Sequence, residues 1–204
     1  MLYTTFGRLR HMTVVCLALL GLVLASMGMP AYAQQATSGQ PQGQSTYSQN
    51  EIVDAGHKFF GSVSSGLATV VEKAINKYGE PNGYILGEEG SAAFFAGATY
   101  GEGQLFTRNA GIHPIFWQGP SIGWDFGGDG ARTMMLVYNL PTIDAMYRRY
   151  VGVKGSAYLV GGFGMQVLSN NNIYVVPVKA GVGARLGLNM GYLKFTRKPT
   201  WNPF

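Results

Sequence analysis

Residues Gly83 to Thr107 read GYILGEEGSAAFFAGATYGEGQLFT, apolar side chains at a period of two, cut repeatedly by glycine. Successive side chains leave a strand on opposite faces, so this period predicts strands with one face buried. Within it, Tyr84–Gly87, Ala92–Tyr100 and Gly103–Thr107 are the expected strands, with Gly101-Glu102-Gly103 as a turn. The same grammar continues downstream through Ile115–Trp117, Ile122–Phe126, Thr133–Tyr138, Ala157–Leu168, Ile173–Val178 and Val182–Arg197. Gly-Gly-Asp-Gly at 127–130 and Ser-Asn-Asn-Asn at 169–172 supply further turns. Evenly spaced short strands predict an antiparallel barrel or sandwich. Glycines also fall inside the strands, as at Gly161-Gly162-Phe163-Gly164 and Gly181-Val182-Gly183. There they allow the sharp bends or close backbone approach that a small barrel needs, and this favours the barrel.

Upstream the period lengthens. Ser48-Gln49-Asn50-Glu51 has the form of a capping box, in which hydroxyl and carboxylate each satisfy a free amide. Ile52, Val53, Phe59, Phe60, Val63, Leu67, Val70, Val71, Ala74, Ile75 and Tyr78 then recur at helical spacing, until Gly79 and Pro81 stop the run. This predicts an amphipathic helix over 51–78, weakened inside by Gly56, Gly61 and Gly66, that packs its apolar face on the sheet. A short second helix is expected from Asn139-Leu140-Pro141-Thr142 to Tyr150, since proline suits a first helical turn. The expected fold is therefore mainly β: a small closed antiparallel barrel with an N-terminal helix and one short additional helix.

The first 33 residues form an export signal: Arg8 and Arg10, an apolar run from Thr13 to Ala25, then Ala31-Tyr32-Ala33 before Gln34. Thirteen helical residues rise about 20 Å, short of a bilayer core of about 30 Å, so cleavage between Ala33 and Gln34 is expected rather than anchoring. Residues 34–50, rich in Gln, Ser and Gly and without a charged side chain, read as a flexible leader, and 51–204 as a single barrel domain. The destination is the periplasm. Cys16 is the only cysteine and leaves with the signal, so the mature chain has no disulfide and no thiolate chemistry. Loss of Arg8 and Arg10 also lowers 15 basic residues to 13 against 10 acidic ones, a net charge of +3. Basic residues adjoin one another only at Arg148-Arg149 and Arg197-Lys198, so nucleic-acid binding has no electrostatic support.

Motifs that suggest chemistry fail on context. Gly119-Pro120-Ser121-Ile122-Gly123 has the spacing of a hydrolase nucleophile elbow, but strand and turn residues follow where a helix is needed. Both histidines of the mature chain, His57 and His113, precede the serine and are read as solvated side chains. An envelope hydrolase using Ser121 is thus only an alternative reading. No catalytic residue, metal site or cofactor is expected. An outer-membrane barrel is the other alternative. Pro199 and Pro203 interrupt its closing strand, and most expected strands fall short of the 9–11 residues needed to cross. The richest aromatic group is Tyr100, Phe106, Trp117, Trp124 and Phe126, candidates for an apolar wall around an acyl chain or sugar. Arg108 and Arg132 are the neighbouring cations, able to hold an anionic head group or to pair with Glu102, Asp125 or Asp129.

Three stretches carry a family resemblance: GYILGEEGSAAFFAGATYGEGQLFTRNAG, FWQGPSIGWDFGGDGARTMMLVYNLPTIDAMYRRYVGVKGSAYLVGGFGMQVL and GVGARLGLNMGYLKFTRKPTWNPF. Together they resemble the envelope integrity protein A family over Glu51 to Phe204. The resemblance implies a soluble periplasmic protein with a small β-barrel and a role in maintaining the envelope, with no established catalytic residue. The segment from Gly103 to Gly130 is also similar to SYLF-type lipid-binding domains. An envelope lipid, a glycan or another envelope protein is the expected class of partner.

Overall fold

Ten strands among the described residues carry the architecture: β1 Gly83–Ala92, β2 Ala98–Thr107, β3 Gly111–Pro120, β4 Ala131–Tyr138, β5 Arg149–Gly152, β6 Tyr158–Val160, β7 Phe163–Met165, β8 Leu168–Asn170, β9 Ile173–Ala180 and β10 Tyr192–Thr196. The computed structural model describes residues 45–62, 64–92, 98–120, 131–181, 191–200 and 202. The strands pair antiparallel in the order β4-β1-β2-β3-β10-β5-β8-β9, and β9 returns to pair with β4. That ring is a closed eight-stranded barrel, so its strands leave no long unpaired edge. β7 and β6 extend the sheet beyond β9.

Two hairpins show why particular residues sit at the turns. Asn171 and Asn172 join β8 to β9 with φ of 44° and 66°, and Gly161 and Gly162 join β6 to β7 with φ of 55° and 80°. Two central residues at positive φ match the twist of the flanking strands, and glycine and asparagine are the residues that tolerate it. The Gly-Gly pair therefore ends a strand where a continuous one over 157–168 was expected. The reverse holds at Gly101-Glu102-Gly103, which lies inside β2 in register with Glu89, Glu88 and Gly87. A Cβ on Gly101 would collide with the Trp117 indole, so here glycine makes room rather than turning the chain.

The expected helix over 51–78 is broken in two. α1 (Gln49–Phe60) opens on the predicted capping box, with the Ser48 amide donating to Glu51 at 2.9 Å. It ends at Gly61, in the left-handed region at φ 76°. α2 (Ser65–Tyr78) restarts on Ser64, whose hydroxyl accepts from the Gly66 amide at 3.2 Å. The expected helix from Asn139 to Tyr150 shrinks to α3 (Ile143–Met146), because Arg149 and Tyr150 join β5. The expected strand Ile122–Phe126, the turn at 127–130 and residues 182–190 lie outside the described residues.

The sheet has a core on each side. Ile85, Leu105, Ile115, Trp117, Met135, Tyr150, Val175, Leu193 and Phe195 fill the barrel, and Leu140, Ala145 and Met146 from and around α3 pack against them. On the outside, Leu67, Val70, Val71 and Ala74 of α2, with Ile52 of α1, meet Met134, Leu136, Tyr138, Val176 and Val178. β4 and β9 are therefore buried on both faces, which explains their nearly unbroken apolar sequences. Each fully buried aliphatic side chain contributes about 1.5–3 kcal/mol relative to exposure.

Candidate functional site

Of the residues singled out from the sequence, Phe106, Arg108 and Arg132 serve the N-terminal helix. Phe106 stacks on Tyr84 with ring centroids 4.8 Å apart, and Tyr84 meets the Tyr47 ring edge-on at 4.9 Å. The Arg108 guanidinium lies 4.3 Å from the centre of the Tyr47 ring, donates to the Thr46 carbonyl at 3.0 Å and pairs with Glu51. The Ser48 amide and Arg108 together hold the Glu51 carboxyl below its ordinary pKa. Residues 45–50, expected to be leader, are thus tied to the barrel: the Tyr47 amide also donates to the Pro81 carbonyl at 2.8 Å. Arg132 donates to the Phe59 carbonyl at 2.9 Å in the last turn of α1. One arginine therefore holds each end of that helix, and neither pairs with Glu102 as the sequence had offered.

Tyr100 and Trp117 do come together, along a groove of about 310 Å³ on the wall of β1, β2 and β3. Its other lining residues include Glu88, Glu102, Phe116 and Gln118, with Pro199 and Thr200 of the C-terminal segment as one rim. Strand alternation explains the composition. Leu105 and Trp117 point into the barrel, so Glu102, Tyr100, Phe116 and Gln118, an odd number of residues away, point out. Trp117 itself is 1% exposed and forms the floor, its indole N–H donating to Glu89 at 3.2 Å.

Gln118 gives the groove its polarity. Its Nε2 donates to Thr196 Oγ1 at 3.1 Å, and that hydroxyl in turn donates to the Lys198 carbonyl at 2.8 Å. Because the hydroxyl proton is committed, Gln118 must offer Thr196 its amino group, and its buried Oε1 is left without a partner. Beside it, Glu88 and Glu102 are direct cross-strand neighbours. Arg132 lies opposite Glu88 on its other side, so Glu102 is the carboxylate of the pair with no cation directly across from it in β1. The result is a set of acceptors flanked by two aromatic rings. Glu88, Phe116 and Gln118 were not singled out from the sequence, and Glu102 only as an ion-pair partner. The outward register opposite Trp117 could have found them once the strand pairing was known.

Inside the barrel, Glu89 forms a buried ion pair with Lys179, which lies opposite Thr133 in register. Neither His57 nor His113 is the solvated side chain expected from the sequence. The His57 ring is half-buried and accepts from the Ser64 amide at 3.2 Å, bridging α1 to α2, while His113 is half-buried in β3. Among the described residues no group of three or more His, Cys, Asp or Glu could hold a metal, and no helix is long and apolar enough to cross a membrane. Trp124, Phe126, Ser121, Asp125, Asp129, Ala33 and Gln34 lie outside the described residues.

Three comparisons bear on this architecture. A family model described as Envelope integrity protein A matches residues 45–204. The crystal structure of a beta-barrel-like, uncharacterized protein from Brucella abortus is 62% identical, covering 78% of this chain and 99% of that one, with a TM-score of 0.76. A glycerol kinase from Thermus brockianus is 24% identical over 148 residues, 71% of this chain. The chain spans 27% of that enzyme's length.

Proposed function

Because the chain belongs to the envelope integrity protein A family, and so has an envelope-related function, we propose that it is exported to the periplasm and supports the envelope without catalysis, by holding a glycan component in the groove beneath Pro199 and Thr200. The observation that carries this reading is the unpartnered Gln118 Oε1, set among the Glu88 and Glu102 carboxylates and the Tyr100 and Phe116 rings. Sugars offer hydroxyl donors along their edges and apolar C–H faces. Acceptors beside aromatic rings match both. An acyl chain is the poorer fit, since Trp117, Tyr150 and Phe195 are already packed in the barrel interior. The outward Glu88 and Glu102 and the helices lying against β4 and β9 also favour water over lipid around the barrel.

The test begins with the cell. Osmotic shock should release the protein, with a mass corresponding to a chain that starts at Gln34. Retention in the detergent fraction would overturn the location. The released protein is then titrated with chitotetraose and with isolated cell-wall glycan strands, reading tryptophan emission and co-sedimentation. Binding lost in Gln118→Leu and weakened about tenfold or more in Tyr100→Ala supports the groove. Binding that both variants retain, or none to either probe, removes it. Glycan recovered with unchanged mass supports the non-catalytic role, and cleaved product would refute it.

A further inference from the structure

The two basic dipeptides, far apart in sequence, meet in the fold. β5 and β10 are adjacent strands, with Arg149 directly opposite Lys194 and the Phe195 amide donating to the Arg148 carbonyl at 2.9 Å. This pairing draws Arg148, Arg149, Lys194, Arg197 and Lys198 around one open cavity of about 760 Å³, floored in part by Tyr147 and Phe195. Five of the chain's fifteen lysines and arginines are gathered there. Asp144 pairs with Arg197, but the two side chains are 78% and 62% exposed, so solvent screens that pair and it neutralises little.

We propose that this cavity is a binding site for a phosphate group carried by an envelope component. Arg149 and Lys194 lie directly opposite each other across the ladder, so two cations converge on one point of the cavity wall, where the Lys194 Nζ also donates to the Asn202 carbonyl at 3.3 Å. The guanidiniums are held in place rather than free to swing. Arg149 lies 4.7 Å from the centre of the Tyr192 ring, and Arg197 the same distance from that of Tyr147. A fixed planar guanidinium fork matches two phosphate oxygens at once, and restraint before binding lowers the entropic cost of capture. The tetrahedral, doubly charged phosphate group suits cations converging from two strands better than a single carboxylate does. The site lies across Pro199 and Thr200 from the acceptor-lined groove, which repels anions, so it does not depend on the glycan reading.

Two probes separate the sources of the phosphate. One is glucose 1-phosphate, compared with glucose by calorimetry. The other is vesicles of phosphatidylcholine with or without one-fifth phosphatidic acid, read by co-sedimentation. Both are used at low salt and again near 150 mM, where the Debye length is about 8 Å. Phosphate-dependent binding to either probe should fall at least tenfold in the Arg149→Gln/Lys194→Gln variant. Arg149→Lys, which keeps the charge but not the fork, should lie between. The double variant should keep the parent's circular dichroism, so that lost binding is not lost folding. Gln118→Leu should leave phosphate binding intact, so loss of the groove and loss of this site are separately visible. A double variant that binds as well as the parent, or failure of both probes to bind at low salt, would overturn the proposal. Binding to vesicles alone identifies a lipid head group as the source, and binding to the sugar phosphate alone a soluble one.

Discussion

Burying a charge is tolerable only when a partner comes with it, and Glu89 is the test of that rule in this barrel. It pairs with Lys179 and accepts from Trp117, so both of its oxygens are used. Lys179→Met would strand the carboxylate in the interior and should cost about 3–5 kcal/mol in chemical denaturation. Adding Glu89→Gln should recover most of that loss, because a neutral amide can still accept from the indole. If the double variant is as unstable as the single one, the ion pair is not what the site requires. These roles were not legible in the sequence. Glu88 and Glu89 are adjacent and alike, yet one lies exposed on the outer face and the other is buried against Lys179. Only the register of β1 against β2 and β4 decides which. By contrast, Trp117 could be read as a strand aromatic from its own segment, whereas Gly101 reads there as part of a turn, because the indole it makes room for lies on another strand.

At the scale of the element, α1 is a helix of twelve residues, too short to be stable alone in water. Its ends explain how it persists. Arg108 sits at the end where Glu51 completes the cap, and Arg132 sits at the carbonyl end, where a cation also opposes the helix dipole. Arg132→Met should destabilise by about 1 kcal/mol, and Arg108→Met by a smaller amount because its ion pair is exposed. In hydrogen exchange both losses should appear first in α1, while β1 and β4 stay protected. Uniform loss across the barrel would contradict this division. Glu51 adds a pH dependence. Its lowered pKa means a stabilising contribution present above the ordinary carboxylate value and lost as pH falls through the depressed one. The start of α1 should therefore loosen in acid before the sheet does. The helix caps were legible because they are local, in Ser48, Glu51 and the glycines. The break at Gly61 was only half legible, since sequence shows that glycine weakens a helix but not that His57 and Ser64 bridge the gap.

The whole molecule is two cores sharing one sheet, and this fixes how it must unfold. Met135 and Val137 of β4 face the barrel interior, while Met134, Leu136 and Tyr138 face the helices. Neither core can be lost while the other keeps its strand, so the described domain should melt in one cooperative step. Alkali tests this from both sides at once, because each core holds a buried tyrosine. Burial pushes the Tyr150 phenol up to about 12 and raises that of Tyr138 as well. Groups whose pKa rises on folding stabilise below the unfolded value of 10.0, and that contribution disappears as pH climbs through the folded value. Stability should therefore be flat to about pH 10 and fall steeply towards pH 12, with tryptophan emission and helical circular dichroism changing together. The two tyrosines differ in one respect that separates their roles. Tyr150 donates to the Ala145 carbonyl at 3.0 Å, whereas the buried Tyr138 hydroxyl has no partner. Tyr150→Phe should cost about 1 kcal/mol at neutral pH, while Tyr138→Phe should be neutral or stabilising. Both should reduce the alkaline loss. If the two signals instead separate along the pH axis, the helical layer and the barrel are independent units, and the shared strands β4 and β9 do not couple them.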